Sequence, residues 1–226
     1  MKARMIFFLS LLFLMTSCKR YYTVSDFDGL TYDHKTVAIL PFEILTTGHV
    51  PRDLTSEMIE LIEENESKAF QVSFFNKLLR STQRGKKPLR ITLQHYSKTL
   101  DMLASNDIDI RASWDKDPEK LAKILEVDSV VKGRIEKHQY FSDGLSAGIE
   151  IGSVVLDILT NGSGVGLLGG VDNKNVKTDY ALVNAEDGTV LWSITYNHQA
   201  DWTQQPDQMV DNINQRSSRH FPYRID

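Results

Sequence analysis

The segment from Leu121 to Ile135, LAKILEVDSVVKGRI, constrains the fold more than any other part of the sequence. Its first half carries apolar residues at helical spacing, and its second half is a run typical of a buried strand. Only the short turn at Glu126–Asp128 separates the two, so the helix has to pack close to the strand that follows it. Alternation along that strand places Val131, Gly133 and Ile135 on one face. The segment predicts an α/β domain whose other elements form layers around this strand.

The first half of the chain supplies a strand and a long helix. Thr36–Phe42, TVAILPF, predicts a strand that is buried on both faces and ends at Pro41, followed by a loop that contains Gly48 and Pro51. Apolar residues at three- and four-residue steps from Leu54 to Leu79 predict a helix. Asn65 lies on the same stripe, so a break or kink is expected near Glu64–Ser67. The aromatic and leucine cluster of this helix is expected in the core: Phe70, Phe74, Phe75, Leu78 and Leu79.

The second half supplies shorter elements. These are predicted to be a strand at Leu89–Gln94, helices at Ser97–Ser105 and from Asp117–Pro118, a hairpin of Val176–Val183 and Val190–Tyr196 around Asp187-Gly188, and a final helix at Pro206–Ser218. The element order predicts an α/β fold with a mixed sheet flanked by helices. A Gly-rich apolar insertion precedes the C-terminal β-hairpin and the final helix.

Net charge excludes one large class of partner. The 226 residues carry 26 Lys and Arg against 30 Asp and Glu, a formal net charge of -4. Nucleic-acid binding needs a broad basic surface. The basic clusters, Arg84–Lys87 and Arg216–Arg219, are short and are expected to be solvated charges of loops or helix ends. We therefore expect no nucleic-acid partner.

Residues 1–17 have the layout of a secretory signal peptide. Met1–Arg4 carries two positive charges, Met5–Met15 is almost wholly apolar, and the small residues Thr16-Ser17 stand just before Cys18. The apolar run is too short to span a bilayer, which requires ~20 residues. Cys18 is the only cysteine, so no internal disulfide and no Cys-rich zinc site can form.

The order Leu14-Met15-Thr16-Ser17-Cys18 resembles the bacterial lipoprotein box. The resemblance implies cleavage before Cys18 and attachment of a diacylglyceryl group to its thiol, and two or three acyl chains anchor a protein firmly. Lys19, in place of the Asp that retains some lipoproteins at the inner membrane, favours an outer-membrane location facing the periplasm. The alternative is an ordinary signal peptide with an incidental cysteine. Residues 18–35 lack periodicity and are expected to form a tether to a single α/β domain over residues 36–226.

Three segments together resemble a known superfamily. VAILPF at Val37–Phe42, LAKILEVDSVVKG at Leu121–Gly133 and YALVNAEDGTVLW at Tyr180–Trp192 follow the pattern of the curli secretion-channel lipoproteins (CsgG) and of the TolB amino-terminal domain. Glu126 stands where that pattern has Gly. The resemblance implies a fold and an envelope location, and small envelope lipoproteins of Bacteroidetes-type bacteria look similar. Each of its motifs is structural, so it implies no reaction.

Residues 142–171 form a glycine-rich insertion in which Asp157 is the only charged residue after Ile151. In the curli channel the comparable region supplies membrane-crossing hairpins, but alternation here is only partial. A packing or membrane-touching segment is the expected role. Gly164–Gly169 spells G-x-G-x-x-G, yet a loop signal follows it where a dinucleotide site needs a helix. No cofactor is therefore expected.

No catalytic constellation emerges from the sequence. The six histidines have no metal-ligand spacing, and no G-x-S-x-G elbow occurs. The acid pairs Glu63-Glu64 and Asp107/Asp109 are expected on solvated faces. Trp114 and Trp202 are expected to pack in the core or in loops, and exposed platforms for carbohydrate are the alternative. The leading hypothesis is a non-catalytic envelope adaptor, anchored through Cys18, that binds another envelope protein or copies of itself. The alternatives are an oligomeric outer-membrane secretion channel and an envelope glycan hydrolase.

Overall fold

The computed structural model describes residues 21–49, 55–83, 88–140, 175–199 and 206–225. The strands of this part are β1 (Tyr21–Thr23), β2 (Thr36–Ile39), β3 (Glu43–His49), β4 (Thr92–Leu93), β5 (Ser129–Tyr140), β6 (Asn175–Asn184) and β7 (Val190–Gln199). The helices are α1 (Phe27–Leu30), α2 (Ser56–Gln83), α3 (Tyr96–Ala104), α4 (Ile110–Asp115), α5 (Pro118–Ile124) and α6 (Pro206–Ser218). The predicted α/β fold with a mixed sheet flanked by helices is confirmed.

All the strands belong to one sheet with β5 near its centre. The order is β1-β7-β6-β5-β2-β4, and β3 pairs with β5 further along the same edge. β5 runs parallel to β2 and β3 and antiparallel to β6, and the β6–β7 hairpin brings β7 against the short edge strand β1. β5 is therefore paired along both of its edges.

Helices cover the sheet on both faces and make a three-layer domain. The larger hydrophobic cluster lies between the sheet and the α2–α6 pair, and it contains the phenylalanines of α2 that the sequence predicted for the core. The smaller cluster lies between the other face and the helices α3 and α5. Leu79 departs from the prediction, because 39% of its surface is exposed.

The segment from Leu121 to Ile135 has the predicted structure. The α5 helix stops at Ile124, and Glu126 takes a left-handed backbone conformation with φ 54°. That conformation lets the Val127 amide donate to the Ala122 carbonyl at 3.1 Å, after which β5 begins. A positive φ costs less strain at Gly than at other residues, so Glu126 holds a backbone conformation that Gly would adopt more easily.

Gly133 is required by the close approach of an aromatic ring. A Cβ atom at this position would lie 2.6 Å from the ring of Phe42. Phe42 is fully buried and packs against Phe70, Phe74 and Tyr180 with ring centroids 5.2 to 6.3 Å apart. The missing side chain on β5 thus provides the space for the central aromatic cluster.

The prediction of a loop after Pro41 was wrong, because the chain returns to the sheet as β3. Ile39 is opposite Val131 and Glu43 is opposite Arg134, so the chain from β2 to β3 contains one residue more than β5 over the same interval. This is the geometry of a β-bulge. Proline lacks the N–H that a ladder requires, so the pairing is interrupted at Pro41 and resumes with β3.

Two further predictions were corrected. The α2 helix is continuous from Ser56 to Gln83, with no break near Glu64–Ser67. The expected tether over residues 18–35 contains β1 and α1 from Tyr21 onward. These elements are three and four residues long, too short to show a period in sequence. They are held by pairing with β7 and by Phe27, which packs edge-on against Tyr223 with ring centroids 5.1 Å apart.

We expect Gly133→Ala to lower the free energy of unfolding by about 1–3 kcal/mol, because the added methyl group overpacks the Phe42 ring. Urea unfolding of the purified protein measures this loss. Gly29→Ala is the matched control: the atoms nearest to its Cβ, at 2.5–2.8 Å, belong to the carboxylate of Asp26, a side chain that can rotate away, and Ala is favoured over Gly in a helix. Equal stability of Gly133→Ala and wild type would contradict the assigned contact.

Candidate functional site

The one site residue predicted from the sequence, Cys18, lies outside the described residues, as do Trp202 and the insertion at 142–171 with its Gly164–Gly169 motif. The described chain begins at Tyr21, three residues after Cys18, already as a strand of the sheet. Among the described helices, none combines the length and the apolar character that crossing a bilayer requires.

The Asp128 carboxylate joins the start of β5 to the chain that enters β2. Its Oδ2 atom accepts hydrogen bonds from the backbone amides of Lys35 (2.8 Å) and Thr36 (2.7 Å) and from the Thr36 hydroxyl (3.0 Å). Burial alone would raise the pKa of Asp128, but these three donors outweigh it and hold that pKa below its usual range. The carboxylate therefore acts as a charged clamp between two parallel strands.

A chain of polar side chains runs from this clamp into the core. The Tyr223 hydroxyl lies 2.5 Å from Nδ1 of His34 and 3.1 Å from the hydroxyl of Ser129. Burial lowers the pKa of His34, against the opposing effect of the nearby Asp128. Serine, histidine and aspartate thus meet here, a combination that serves nucleophilic catalysis in hydrolases. Ser129 is fully buried and bonded to a tyrosine, so its hydroxyl is unreachable for a substrate.

The α2 helix carries a second cluster of polar side chains, a row of buried residues that includes Glu66. Lys137 of β5 forms an ion pair with Glu66, and 1% of Lys137 is exposed. Burial raises the pKa of Glu66, against the opposing effect of Lys137. Several neighbouring polar atoms are buried without a hydrogen-bond partner: Asn65 Nδ2, Glu66 Oε1, Ser67 Oγ and Gln71 Oε1. Buried polar groups of this kind are costly, so the row is an exception to ordinary core packing.

Glu63 corrects the expectation that the Glu63-Glu64 pair lies on a solvated face. It is 7% exposed, and its Oε2 atom accepts from Arg111 at 3.0 Å while its Oε1 atom accepts from the Thr46 amide at 3.2 Å. The Arg111 guanidinium also lies 5.0 Å from the ring centre of Trp114. Trp114 is buried, as predicted, and is no exposed platform for a sugar. Glu63 therefore joins α2, α4 and β3 structurally.

The sheet face beyond α3 and α5 carries a ladder of exposed ion pairs. Arg134 on β5 lies 3.2 Å from Glu136 and 3.4 Å from Glu43 of β3. Lys177 on β6 lies 3.7 Å from Glu136 and 3.1 Å from Asp179. Exposed pairs of this kind contribute little to stability. Their charges remain in reach of a partner protein. This surface could not be predicted from local sequence, because the three strands that form it, β3, β5 and β6, are separated along the chain.

Within the described residues no group of three or more potential metal ligands converges. The histidines serve separate local roles there: His95 caps α3 through its Nδ1 atom, and His220 stacks on Tyr21 with ring centroids 4.9 Å apart. Burial, followed by the charge of Arg216, lowers the pKa of His198 to about 4. These side chains belong to three different environments and form no common centre.

Comparison with known proteins yields structural similarity at low sequence identity. No family model matches the chain, and no curated protein matches it. The structure of lipoprotein GNA1162 from Neisseria meningitidis is similar with a TM-score of 0.47 and 12% identity over 82% of this chain and 96% of that one. The PelC dodecamer from Paraburkholderia phytofirmans (TM-score 0.37, 11% identity, 81% and 85% covered) and the LpoB C-terminal domain from Salmonella enterica (TM-score 0.35, 10% identity, 77% and 99% covered) are also similar.

Asp128→Asn is expected to destabilise the protein by about 1.5–3 kcal/mol at pH 7, because the three donors lose a charged acceptor. The pKa of Asp128 is lower in the folded state, so the stabilisation is present above the unfolded-state pKa of about 4 and is lost as the pH falls through the folded value. Urea unfolding of both proteins from pH 7 to pH 2.5 measures this. A stability difference that stays constant over that range would contradict the assignment.

Lys137→Met is expected to cost about 3–5 kcal/mol, since it leaves the buried carboxylate of Glu66 without its partner. Arg134→Met on the same strand is the matched control and is expected to change stability by less than about 1 kcal/mol, because its ion pairs are exposed. Adding Glu66→Leu to Lys137→Met should restore most of the loss. Chemical denaturation of the wild type and these three variants measures the losses, and equal losses for Lys137→Met and Arg134→Met would refute the assigned pair.

Proposed function

We propose that this chain is a non-catalytic lipoprotein of the bacterial cell envelope. It is anchored in the outer membrane through acyl chains on Cys18, faces the periplasm, and binds another envelope protein or further copies of itself. The observation that carries the proposal is the sequence Leu14–Cys18 behind a charged and then apolar leader, with the chain's one cysteine at the cleavage point.

The contacts of the described residues support a binding role rather than catalysis. At Ser129, where serine, histidine and aspartate approach each other, the hydroxyl is fully buried. Two buried carboxylates of α2 are also paired: Glu63 with Arg111 of α4, and Glu66 with Lys137 of β5. The partly exposed charges of Arg134, Glu136, Lys177 and Asp179 offer a polar surface of both signs, which suits a protein partner.

The resemblance to the curli-channel and TolB amino-terminal superfamily supports the same assignment. It rests on the segments around Val37–Phe42, Leu121–Gly133 and Tyr180–Trp192. Their counterparts here are β2, the α5–β5 unit and the β6–β7 hairpin, which together form the centre of the sheet. Proteins of that superfamily work in the envelope through assembly with other proteins, which is the role proposed for this chain.

A secretion-channel component is the second candidate, and one observation favours it. β5 and β6 are antiparallel neighbours in register from Ser129 and Asn184 to His138 and Asn175. The glycine-rich residues 142–171 therefore join two adjacent strands, the connection from which a longer hairpin would extend. Detergent-extracted protein that runs only as a monomer in light scattering, and that produces no conductance in planar bilayers, would eliminate this candidate.

The anchor is tested by metabolic labelling with radioactive palmitate in a Gram-negative host. We expect label in the wild-type protein and none in Cys18→Ala, because the thiol is the attachment point. Ser17→Ala is the matched control, since it keeps a small residue at the cleavage site and leaves the cysteine. Mass spectrometry of the mature protein should find an acylated Cys18 as its first residue. Equal labelling of wild type and Cys18→Ala would contradict the proposal.

The binding role is tested separately by chemical crosslinking in intact cells followed by identification of the crosslinked chains. We expect a discrete adduct that is weakened by reversing charges on the exposed sheet face, as in Arg134→Glu with Lys177→Glu. The control is Lys98→Glu on α3, a single charge reversal away from that face. Hydrolysis of envelope glycan by the purified protein would replace the binding role with the enzymatic alternative.

A further inference from the structure

The edge of the domain formed by β1 and the end of α6 stands close to the place where Cys18 is attached. Only Lys19 and Arg20 separate Cys18 from Tyr21, the first residue of β1. Three residue steps span at most about 11 Å even when fully extended. The headgroup layer of a bilayer is itself several Å thick, about 5–8 Å on each side. An acylated Cys18 thus holds β1 at the level of the headgroups or directly above them.

The direction of β1 tells which part of the domain is nearest to the anchor. β1 is antiparallel to β7, with Tyr21 opposite Ile194 and Thr23 opposite Trp192. Followed backwards from Tyr21, β1 therefore points toward the end of β7 that contains His198. Arg216 of α6 lies near His198, where its charge contributes to lowering the pKa of that histidine. α6 and the approach from Cys18 are consequently on the same edge of the sheet.

Cationic side chains are concentrated at this edge. Tyr21 stacks on His220 with ring centroids 4.9 Å apart and an interplanar angle of 25°. Arg216, Arg219 and His220 are exposed, and Lys19 and Arg20 add two positive charges in the sequence. The nearest described acidic residues along the chain are Asp26, five residues after Tyr21, and Asp211, five residues before Arg216 on α6. Asp211 pairs with Lys77 of α2 at 2.6 Å.

We propose that this edge, made of the arginines Arg216 and Arg219 and the stacked rings of Tyr21 and His220, lies against the anionic phospholipid headgroups of the membrane that holds Cys18. The inference rests on the proposed lipid anchor and adds an orientation to it. Arginines attract anionic headgroups over about a Debye length, and each is worth about a fivefold change in binding. A tyrosine ring with an apolar body and a polar hydroxyl suits the interface. Because only Lys19 and Arg20 connect Cys18 to β1, the domain cannot move far from the bilayer.

The test uses the full-length acylated protein in liposomes of POPC and POPG at a ratio of 7:3, which contain a lipid with a spin label on its headgroup. Since Cys18 is blocked by acylation, Arg219→Cys provides a unique thiol for a fluorophore. Lys98→Cys, an exposed lysine on α3 next to the opposite edge of the sheet, is the control position. We expect strong quenching at 219 and at least about twofold weaker quenching at 98. Equal quenching at the two positions would overturn the orientation.

The role of charge is tested in the Arg219→Cys background. We expect quenching at 219 to fall when POPG is left out, and to fall in POPC/POPG when Arg216→Gln is added, whereas Lys98→Gln changes nothing. If quenching at 219 changes neither when POPG is left out nor when Arg216→Gln is added, anionic headgroups are not the partner. Mass spectrometry of the same samples separates the two proposals: an unacylated Cys18 refutes the proposed function and this inference together. An acylated protein without preferential quenching at 219 refutes this inference alone.

Discussion

The Asp128 carboxylate fixes the arrangement on which the rest of the domain depends, the pairing of β2 with β5. Parallel strands far apart in sequence have no turn to set their register, so a specific contact has to do it. Here one carboxylate oxygen accepts from two consecutive backbone amides and a hydroxyl at the entrance to β2. Once Val37 is opposite Ser129, the alternation of side chains on both strands places one set against α2 and the other against α3 and α5.

The interior is unusually polar on one side of this sheet. α2 has its phenylalanines in the core around Phe42, yet one turn earlier it turns Glu66 inward to meet Lys137. Removing two charges from water is expensive, and a buried pair repays that cost only with good geometry. The pair lies where α2 passes β3 and the far half of β5, near the ends of the strands. The domain is thus held by apolar packing at its centre and by ion pairs toward that end.

Elements with a regular pattern were predictable from the sequence, and short or interrupted elements were not. The apolar stripes of α5 and α6, the Asp-Gly turn of the hairpin and the buried run of β5 each repeat a local signal over several residues. β1, α1 and α4 span three, four and six residues, which is too short for a strand or helix periodicity to be recognised in the sequence. β3 was not predicted, because Pro41 commonly ends a strand. Only the pairing with β5 shows that a second strand follows, with its register shifted by one residue. Glu63 was predicted to face solvent, because its charge gives no sign in the sequence of the Arg111 that pairs with it. Asn65 was predicted to break or kink the helix, yet α2 continues through it.

The sequence by itself determined the fold class, the central role of the segment from Leu121 to Ile135 and the expectation of a lipid on Cys18, because helix periodicity, strand alternation and cleavage motifs are local properties of a chain. Only the tertiary structure decided that Tyr21 is already part of the sheet, that Ser129 is out of reach and that Lys137 meets Glu66 in the core. Each of these depends on a partner that is between 71 and 173 residues away, such as Ile194 for Tyr21 or Tyr223 for Ser129. Such contacts are selected by the free energy of packing the whole domain, which no local stretch of sequence contains.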